Sequence, residues 1–191
     1  YLEPLTAGFT PRRQGGPLVL GYLGSGNDWN IRSLRAFLDA WQARPDRPSV
    51  QLLVAGGISR HLTDQPGVVR LGFVQELSSF YGAIDIAINP MVGGTGLKIK
   101  TVEPLSFGRP VLATPAGIQG LTEVWRLPVA DTAPALAELL CQSLGTDPAQ
   151  ALQAWLTQAE ATRAALDAQF DAQRERFARW LAQRLSRPLS A

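Results

Sequence analysis

Two lysines beside a glycine-rich turn are the most chemically informative feature of the sequence. Lys98 and Lys100 are the only lysines among 191 residues, whereas arginine occurs sixteen times. They closely follow a Gly-Gly-Thr-Gly turn that contains Gly93, Gly94 and Gly96. Since glycine has no Cβ, an anion can approach the backbone closely at these positions. The residue types and their spacing therefore indicate an anion-binding site.

The glycine turn is followed by a helical pattern. We predict a helix from about Thr95 to Phe107, ended by Gly108. The first turn of a helix has unpaired backbone N–H groups and a partial positive charge, which favour an anion by about 0.3–2 kcal/mol per charge. Lys98 in that first turn would oppose the helix dipole, so an anion between the two would explain it. The P-loop spacing G-x-x-x-x-G-K-[ST] is absent.

Glu103 is the next candidate. It lies seven residues after Gly96, which places both on nearly the same helix face, about 10 Å apart at ~1.5 Å per residue. This separation is comparable to that between the diphosphate and the ribose of one nucleotide. A carboxylate is suited to accept hydrogen bonds from a ribose diol. One helix could thus hold both ends of a nucleoside diphosphate, with Lys98 at the phosphates and Glu103 at the ribose.

Each of these features also has a simpler interpretation. A Gly-Gly-Thr-Gly segment before a helix is often only a turn, and neighbouring lysines usually lie on a solvated face. Glu103 could pair with Lys100, three residues earlier on the same helix.

The elements that would position these residues follow an alternating pattern. Short apolar segments, typical of strands buried on both faces, alternate with helical segments and so predict parallel β-α-β units. The predicted strands are residues 17–24, 50–57, 68–74, 85–91 and 109–117, and residues 122–131 could hold a short sixth. We expect an α/β fold with a Rossmann-like, doubly wound parallel sheet of about six strands. Ligands of such sheets bind beyond the carboxyl ends of the strands, where the glycine turn lies.

The chain divides into three predicted parts. Residues 1–16 are rich in proline and glycine and indicate a linker or arm. Residues 17–146 would form the Rossmann-like domain, and residues 147–191 a helical tail packed on it, with a long helix to about Leu185. Since the chain begins with Tyr1, we expect it to be one piece of a longer protein.

The amino-acid composition argues against several classes of function. The formal net charge is +2 without a dense basic stripe, which argues against nucleic-acid binding. The single cysteine, Cys141, cannot form an internal disulfide, and no apolar run reaches the ~18 residues of a membrane span. One histidine, His61, and the absence of an Asp-x-Asp cluster give no metal-ligand pattern. We expect a cytoplasmic protein.

The glycine turn, the two lysines and Glu103 together resemble the signature of a known family. The segment GGTGLKIKTVEPLSFGRPVLATPAGIQGL resembles the donor-site signature of GT-B fold glycosyltransferases of family 4, or group 1 type. That signature has a glycine-rich turn, a Gly-Leu-Lys-x-Lys run, a ribose-binding glutamate and a G-x-P-V-x-A-T strand in the same order. The resemblance extends over roughly Pro17 to Leu121.

The resemblance implies the carboxyl-terminal, donor-binding half of a retaining, metal-independent glycosyltransferase without a cofactor. The full protein would transfer a sugar, as hexosyltransferases do, from a nucleoside diphosphate sugar to a glycan or lipid-linked acceptor in polysaccharide biosynthesis. Its partner would be an amino-terminal acceptor domain of the same protein, and peripheral association of the full protein with a membrane is left open. The isolated fragment is expected to be inactive.

The resemblance also implies roles for particular residues. Glu103 would bind the ribose, and Lys98 would meet the diphosphate and act catalytically by stabilising it as it departs, as an oxyanion hole does. The remaining implied donor contacts are the backbone at Gly94, Thr95, Gly96 and Leu97, and the base-flanking residues Phe73 and Val74.

Three departures from the family pattern bear on this hypothesis. Thr95 stands where many members have a glutamate that contacts the donor sugar. The segment after the first strand has no basic residue before Arg32, although many members place an arginine and a lysine there. Pro104 follows Glu103 where alanine is common, and proline disfavours helical geometry in the residue before it. We therefore expect phosphate neutralisation to depend more heavily on Lys98.

Three other functions compete with this interpretation. A sugar-nucleotide epimerase can share the architecture but needs acid and base residues that these short loops barely provide. A nucleotide-binding module without chemistry is compatible with Thr95. A dinucleotide-dependent oxidoreductase fits poorly, because Trp29 or Ile31 would occupy the last glycine position of its G-x-G-x-x-G motif.

Overall fold

The protein is built around one parallel sheet that has a switch point at its centre. The structure is a computed structural model that describes residues 16–94 and 98–185. Its five parallel strands lie in the order β3-β2-β1-β4-β5 and are β1 (Val19–Leu23), β2 (Gln51–Ala55), β3 (Val68–Gly72), β4 (Ile86–Asn89) and β5 (Val111–Ala113). The strand order reverses between β1 and β4, so a crevice opens beyond their carboxyl ends. The predicted α/β class and Rossmann-like sheet are confirmed.

The described residues also form five α-helices, which are α1 (Asp28–Ala43), α2 (Leu77–Ala83), α3 (Ile99–Ser106), α4 (Ala133–Thr146) and α5 (Pro148–Leu185). The chain moves from β1 to β2 in one direction and from β4 to β5 in the other. Because such crossovers are right-handed, α1 and α3 lie on opposite faces of the sheet. Helix α1 packs against α4, and α3 packs against α5.

The strands β1, β2 and β4 are buried almost throughout, as their apolar sequences predict. The edge strand β3 differs from these strands and from the opposite edge strand, β5, because its residues are partly or largely exposed, whereas those of β5 are buried. Strand β3 also ends at Gly72 and not at Val74 as predicted. Gly72 has a φ of 70°, a left-handed conformation that interrupts the extended chain and that glycine adopts readily.

The predicted sixth strand in residues 122–131 is wrong. Within that segment only Val129 pairs with the sheet, through a single parallel bridge to Ala113. Pro128 precedes Val129 and has no N–H to donate, so a continuous ladder cannot form there. The segment instead supplies the buried side chains of Trp125 and Leu127.

Helix α3 is shorter than predicted. It begins at Ile99, and Lys98 is its N-cap residue with a non-helical backbone (φ −86°, ψ 89°). Lys98 therefore precedes the first turn instead of lying in it. Pro104 lies inside the helix, and Gly108 follows its end with a φ of 68°, in agreement with the predicted stop.

The carboxyl-terminal helix α5 changes character along its length. Its first half buries Trp155, Ala159, Thr162 and Leu166. Its second half exposes four large apolar side chains, which are Phe170, Phe177, Trp180 and Leu181. Helix α5 is thus buried against the rest of the domain for only the first part of its length. No helix within residues 16–94 and 98–185 is long and apolar enough to cross a membrane.

Gly56, which follows β2, packs closely against Gly24, which follows β1. We expect replacement of Gly56 by alanine to destabilise the protein. The φ of Gly56 is 88°, and a Cβ there would lie 2.3 Å from the carbonyl oxygen of Gly24. Backbone strain and overpacking should together lower the free energy of unfolding by about 2 kcal/mol in Gly56→Ala, measured by urea denaturation. Gly82→Ala in α2 is the control, since no atom lies within 4 Å of its Cβ position. Equal stabilities of the two variants would contradict this prediction.

Candidate functional site

A cleft lies at the carboxyl end of the sheet and consists of two adjoining cavities. The larger cavity has a volume of about 490 Å³ and the smaller one about 350 Å³. The larger is lined by the loops after β1, β2 and β3 and by one side of α3, and the smaller by the start of α1 and the segment after β4. The residues common to both walls are Asn27, Asn30, Ile99 and Lys100. The cleft therefore lies where the strand order predicts a ligand site.

Glu103 lines the larger cavity, and a buried tyrosine holds its carboxylate. The Tyr81 hydroxyl donates a hydrogen bond of 2.6 Å to Glu103 Oε1. Tyr81 is itself fixed by stacking on Phe107, with ring centroids 4.7 Å apart. Burial, together with the hydrogen bond and the negative charge of Glu103, raises the pKa of Tyr81, so this hydroxyl remains a donor. Tyr81 is a positioning residue that the sequence analysis did not identify.

Lys98 lines the smaller cavity together with Gly94. Only 7% of Lys98 is exposed, and its Nζ lies 3.4 Å from the position of a Cβ added at Gly94. Among the residues that the structure describes, none accepts a hydrogen bond from this ammonium group. A buried cation is costly unless a counter-charge compensates it. An anion in the smaller cavity would provide that compensation.

Lys100 also faces the cleft and is not on a solvated face. Its ammonium group donates hydrogen bonds to the side-chain oxygen of Asn30 and, at 3.4 Å, to the hydroxyl of Tyr22. Burial, and secondarily the charge of Lys98, lower the pKa of Lys100 to about 8. The sequence contained a signal for this position, because Lys100 lies three residues before Glu103 and hence on the same side of the helix.

The start of α1 forms the opposite wall of the cleft. The side chain of Asn27 accepts a hydrogen bond of 2.9 Å from the Asn30 backbone and caps the helix. The Asn30 amide donates to the Ser25 carbonyl oxygen at 2.8 Å, which orients its oxygen toward Lys100. Trp29 is half exposed beside the smaller cavity and packs against Gly93, where a Cβ would lie 2.8 Å from the indole ring.

The remaining residues predicted for the site lie in three places. Gly94 borders the smaller cavity with a φ of 121°. Phe73 and Val74 border the larger cavity, in the turn after β3. Thr95, Gly96 and Leu97 lie outside the described residues. The structure thus brings Lys98, Glu103, Gly94, Phe73 and Val74 to one cleft.

Several polar residues outside the cleft have structural contacts. Arg109 is buried, and its Nε donates to the Tyr81 carbonyl oxygen near the end of α2 at 2.7 Å. Asp85 accepts a hydrogen bond of 2.8 Å from the Val19 backbone beside the sheet. His61 is exposed in a 3₁₀ turn after β2. Within the described part of the chain, no three His, Cys, Asp or Glu side chains are grouped to hold a metal ion.

Phe73 is the most exposed of the large apolar side chains and stands at the rim of the larger cavity. With 83% of the residue exposed, its ring is available to stack on a planar ligand. We expect Phe73→Ala to weaken binding of uridine and UDP alike by about fivefold, since stacking of a base on an aromatic ring contributes about 1–3 kcal/mol. Calorimetric titration of both ligands measures this. Exposed Phe177→Ala is the control, and a loss confined to UDP would contradict a role at the base.

The fold and its cleft define the class of protein. A parallel Rossmann-like sheet with a cleft at its switch point is the architecture of one half of a GT-B glycosyltransferase. The family model for group 1 glycosyl transferases matches residues 17–146. The chain therefore belongs to the group 1 glycosyltransferases, and the family resemblance seen in the sequence is confirmed.

Solved glycosyltransferase structures share this fold. HepE from Anabaena, solved with UDP and glucose, superposes with a TM-score of 0.65 at 19% identity, over 87% of this chain and 48% of HepE. TarM from S. aureus, solved with UDP among its ligands, has a TM-score of 0.60 at 13% identity, over 86% of this chain and 37% of TarM. WaaG, a glycosyltransferase involved in lipopolysaccharide biosynthesis, superposes with a TM-score of 0.58 at 20% identity, over 81% of this chain and 44% of WaaG.

This chain spans less than half the length of each of these three proteins. No curated protein is significantly similar to it in sequence.

Proposed function

We propose that the chain is the donor-binding half of a retaining glycosyltransferase that transfers a sugar from a nucleoside diphosphate sugar. The observation that carries the proposal is the arrangement of α3, which places Lys98 at its N-cap in one cavity and Glu103, five residues further on, in the adjoining cavity. A cation and a carboxylate placed in this way match the diphosphate and the ribose of one nucleotide.

The cleft accounts for each part of such a donor. The base would stack on Phe73 at the rim of the larger cavity, and the ribose hydroxyls would donate to the carboxylate that Tyr81 orients. The diphosphate would lie between the two cavities, near Lys98. The transferred sugar would occupy the smaller cavity beside Trp29. The UDP and UDP-glucose complexes of HepE support a nucleotide-sugar donor.

The chemistry assigned to this half is electrostatic. As the bond between the sugar and the diphosphate breaks, negative charge accumulates on the departing phosphate oxygens. Lys98 is buried and already in place, so it stabilises that charge without a reorganisation of solvent. Retention of configuration, independence from metals and cofactors, and a glycan or lipid-linked acceptor held by a preceding domain complete the proposal and follow from the family resemblance.

Calorimetric titration tests the proposal. The chain is titrated with UDP, GDP and ADP, with UDP-glucose, and with uridine and inorganic diphosphate as the two halves of one ligand. We expect at least one nucleoside diphosphate to bind more tightly than either half, because both cavities are then occupied. Failure of all three nucleoside diphosphates to bind below about 1 mM, the weak limit of specific ligand binding, would overturn the donor-site assignment.

A further inference from the structure

The shared wall of the two cavities contains a second cation, the last lysine of the Gly-Leu-Lys-x-Lys run, to which neither the family resemblance nor the comparisons give a role. Lys100 is one of the four residues that line both cavities, and it is the only charged one of the four. A ligand that extends from one cavity into the other must pass this side chain. Lys98, by contrast, lines only the smaller cavity.

The contacts of Lys100 are all to neutral groups. Its ammonium group lies near the side-chain oxygen of Asn30, the hydroxyl of Tyr22, the sulfur of Met91 at 4.0 Å and the ring of Tyr22 at 5.4 Å. Within the described residues no carboxylate forms an ion pair with it. The carboxylate on the same helix, Glu103, is hydrogen-bonded to Tyr81. Two cations thus share one end of the cleft with no counter-charge between them.

We propose that Lys100 is a second diphosphate-binding cation, which acts together with Lys98 on the bridging region of the nucleotide. This inference rests on the proposed function. It also explains how the cleft compensates for the segment after β1, which has no basic residue from Gly24 to Asn30. Helix α3 then supplies the positive charge for the diphosphate as well as the carboxylate for the ribose.

A purely structural role for Lys100 makes a different prediction. In that case the side chain would only connect α3 to Asn30 on α1 and to Tyr22 on β1. Its loss would disturb the whole cleft, and uridine and UDP would lose affinity together. A diphosphate-binding role predicts a loss for UDP alone.

The protonation of Lys100 provides a second, independent readout. Burial and the charge of Lys98 leave its pKa at about 8, so part of the population is neutral at pH 8. A diphosphate beside it favours the charged form, and binding should therefore take up a proton near this pH. The other titratable groups around it are Tyr22, Lys98 and Glu103, and the exposed Asp28 in the first turn of α1. The pKa of Tyr22 is raised by burial, so its hydroxyl stays protonated at pH 8.

The test compares the unaltered chain with Lys100→Met and Lys100→Arg, using UDP and uridine as probes. We expect Lys100→Met to weaken UDP binding about tenfold, as for the loss of a charge-assisted hydrogen bond, and to leave uridine binding unchanged. Lys100→Arg should bind UDP within about threefold of the unaltered chain, because arginine retains the charge. Titrations at pH 8 in two buffers of different ionisation enthalpy should show proton uptake with UDP in the unaltered chain and none in Lys100→Arg.

The outcomes separate the two proposals. If the unaltered chain binds no nucleoside diphosphate, the donor-site assignment itself fails. If it binds UDP but Lys100→Met binds UDP equally well, or loses uridine to the same extent, the role of Lys100 is overturned. Should Lys100→Met fail to fold, as judged by circular dichroism, proton uptake that persists in Lys100→Arg would overturn the proposal instead.

Discussion

Replacement of Lys98 by alanine should weaken the binding of UDP about 100-fold, because the charge-assisted contacts of a buried cation contribute about 1.5–3 kcal/mol. Lys98 is nearly inaccessible and has no acceptor among the described residues, so its charge is available to a ligand in the smaller cavity. Binding of uridine should change by less than about twofold, since a nucleoside places no charge there. Calorimetric titration of both ligands measures the difference.

The control for this experiment is Arg174→Ala, which removes one positive charge from an exposed position on α5. It separates a local contact from a change in net charge, and we expect no loss of affinity. An equal loss of uridine and UDP in Lys98→Ala would mean that the substitution disturbs the cleft as a whole. Unchanged UDP binding would remove Lys98 from the diphosphate.

Replacement of Glu103 by glutamine should weaken UDP binding about 30-fold, because the ribose hydroxyls then lose a charged acceptor. Glutamine keeps the size of the side chain and an oxygen that can accept the hydrogen bond from Tyr81, so the cavity should keep its shape. The loss should be much smaller for 2′-deoxy-UDP, which has one hydroxyl fewer to donate. The measurement is the ratio of the two dissociation constants in each protein.

The matched control is Glu138→Gln, the same change on the exposed surface of α4. It should leave both ligands unaffected. If Glu103→Gln weakened UDP and 2′-deoxy-UDP to the same extent, the carboxylate would not contact the 2′-hydroxyl. An equal loss would restrict its ligand contact to the 3′-hydroxyl, which both nucleotides retain, and no loss with either nucleotide would limit its role to the internal hydrogen bond with Tyr81.

Much of the fold was predictable because the central strands of a parallel sheet are buried on both faces. That environment demands continuous apolar sequence, and β1, β2 and β4 have it. The errors occur at the margins of the sheet. The edge strand β3 is partly exposed and ends at Gly72, before its predicted end at Val74. The segment around Pro128 was apolar enough to suggest a strand, but Pro128 has no N–H group to donate to a neighbouring strand.

The candidate site was predictable to a similar degree. Spacing along one helix relates Lys98 to Glu103, and the family signature names both, so their presence in one cleft agrees with the sequence. The exact start of α3 could not be read from the pattern, because glycines permit several backbone paths before a helix. Lys98 consequently proved to be a capping residue with a non-helical backbone.

By itself, the amino-acid sequence indicated the α/β class, a candidate site beyond the carboxyl ends of the strands, and the pairing of Lys98 with Glu103, since each depends on local periodicity or on neighbours along the chain. The tertiary structure decided which groups Lys100 contacts across the cleft and that Tyr81 holds the carboxylate of Glu103. Both depend on contacts between residues 22 to 78 positions apart. The direction of a side chain on a short helix is set by what packs against it, and local sequence does not encode that environment.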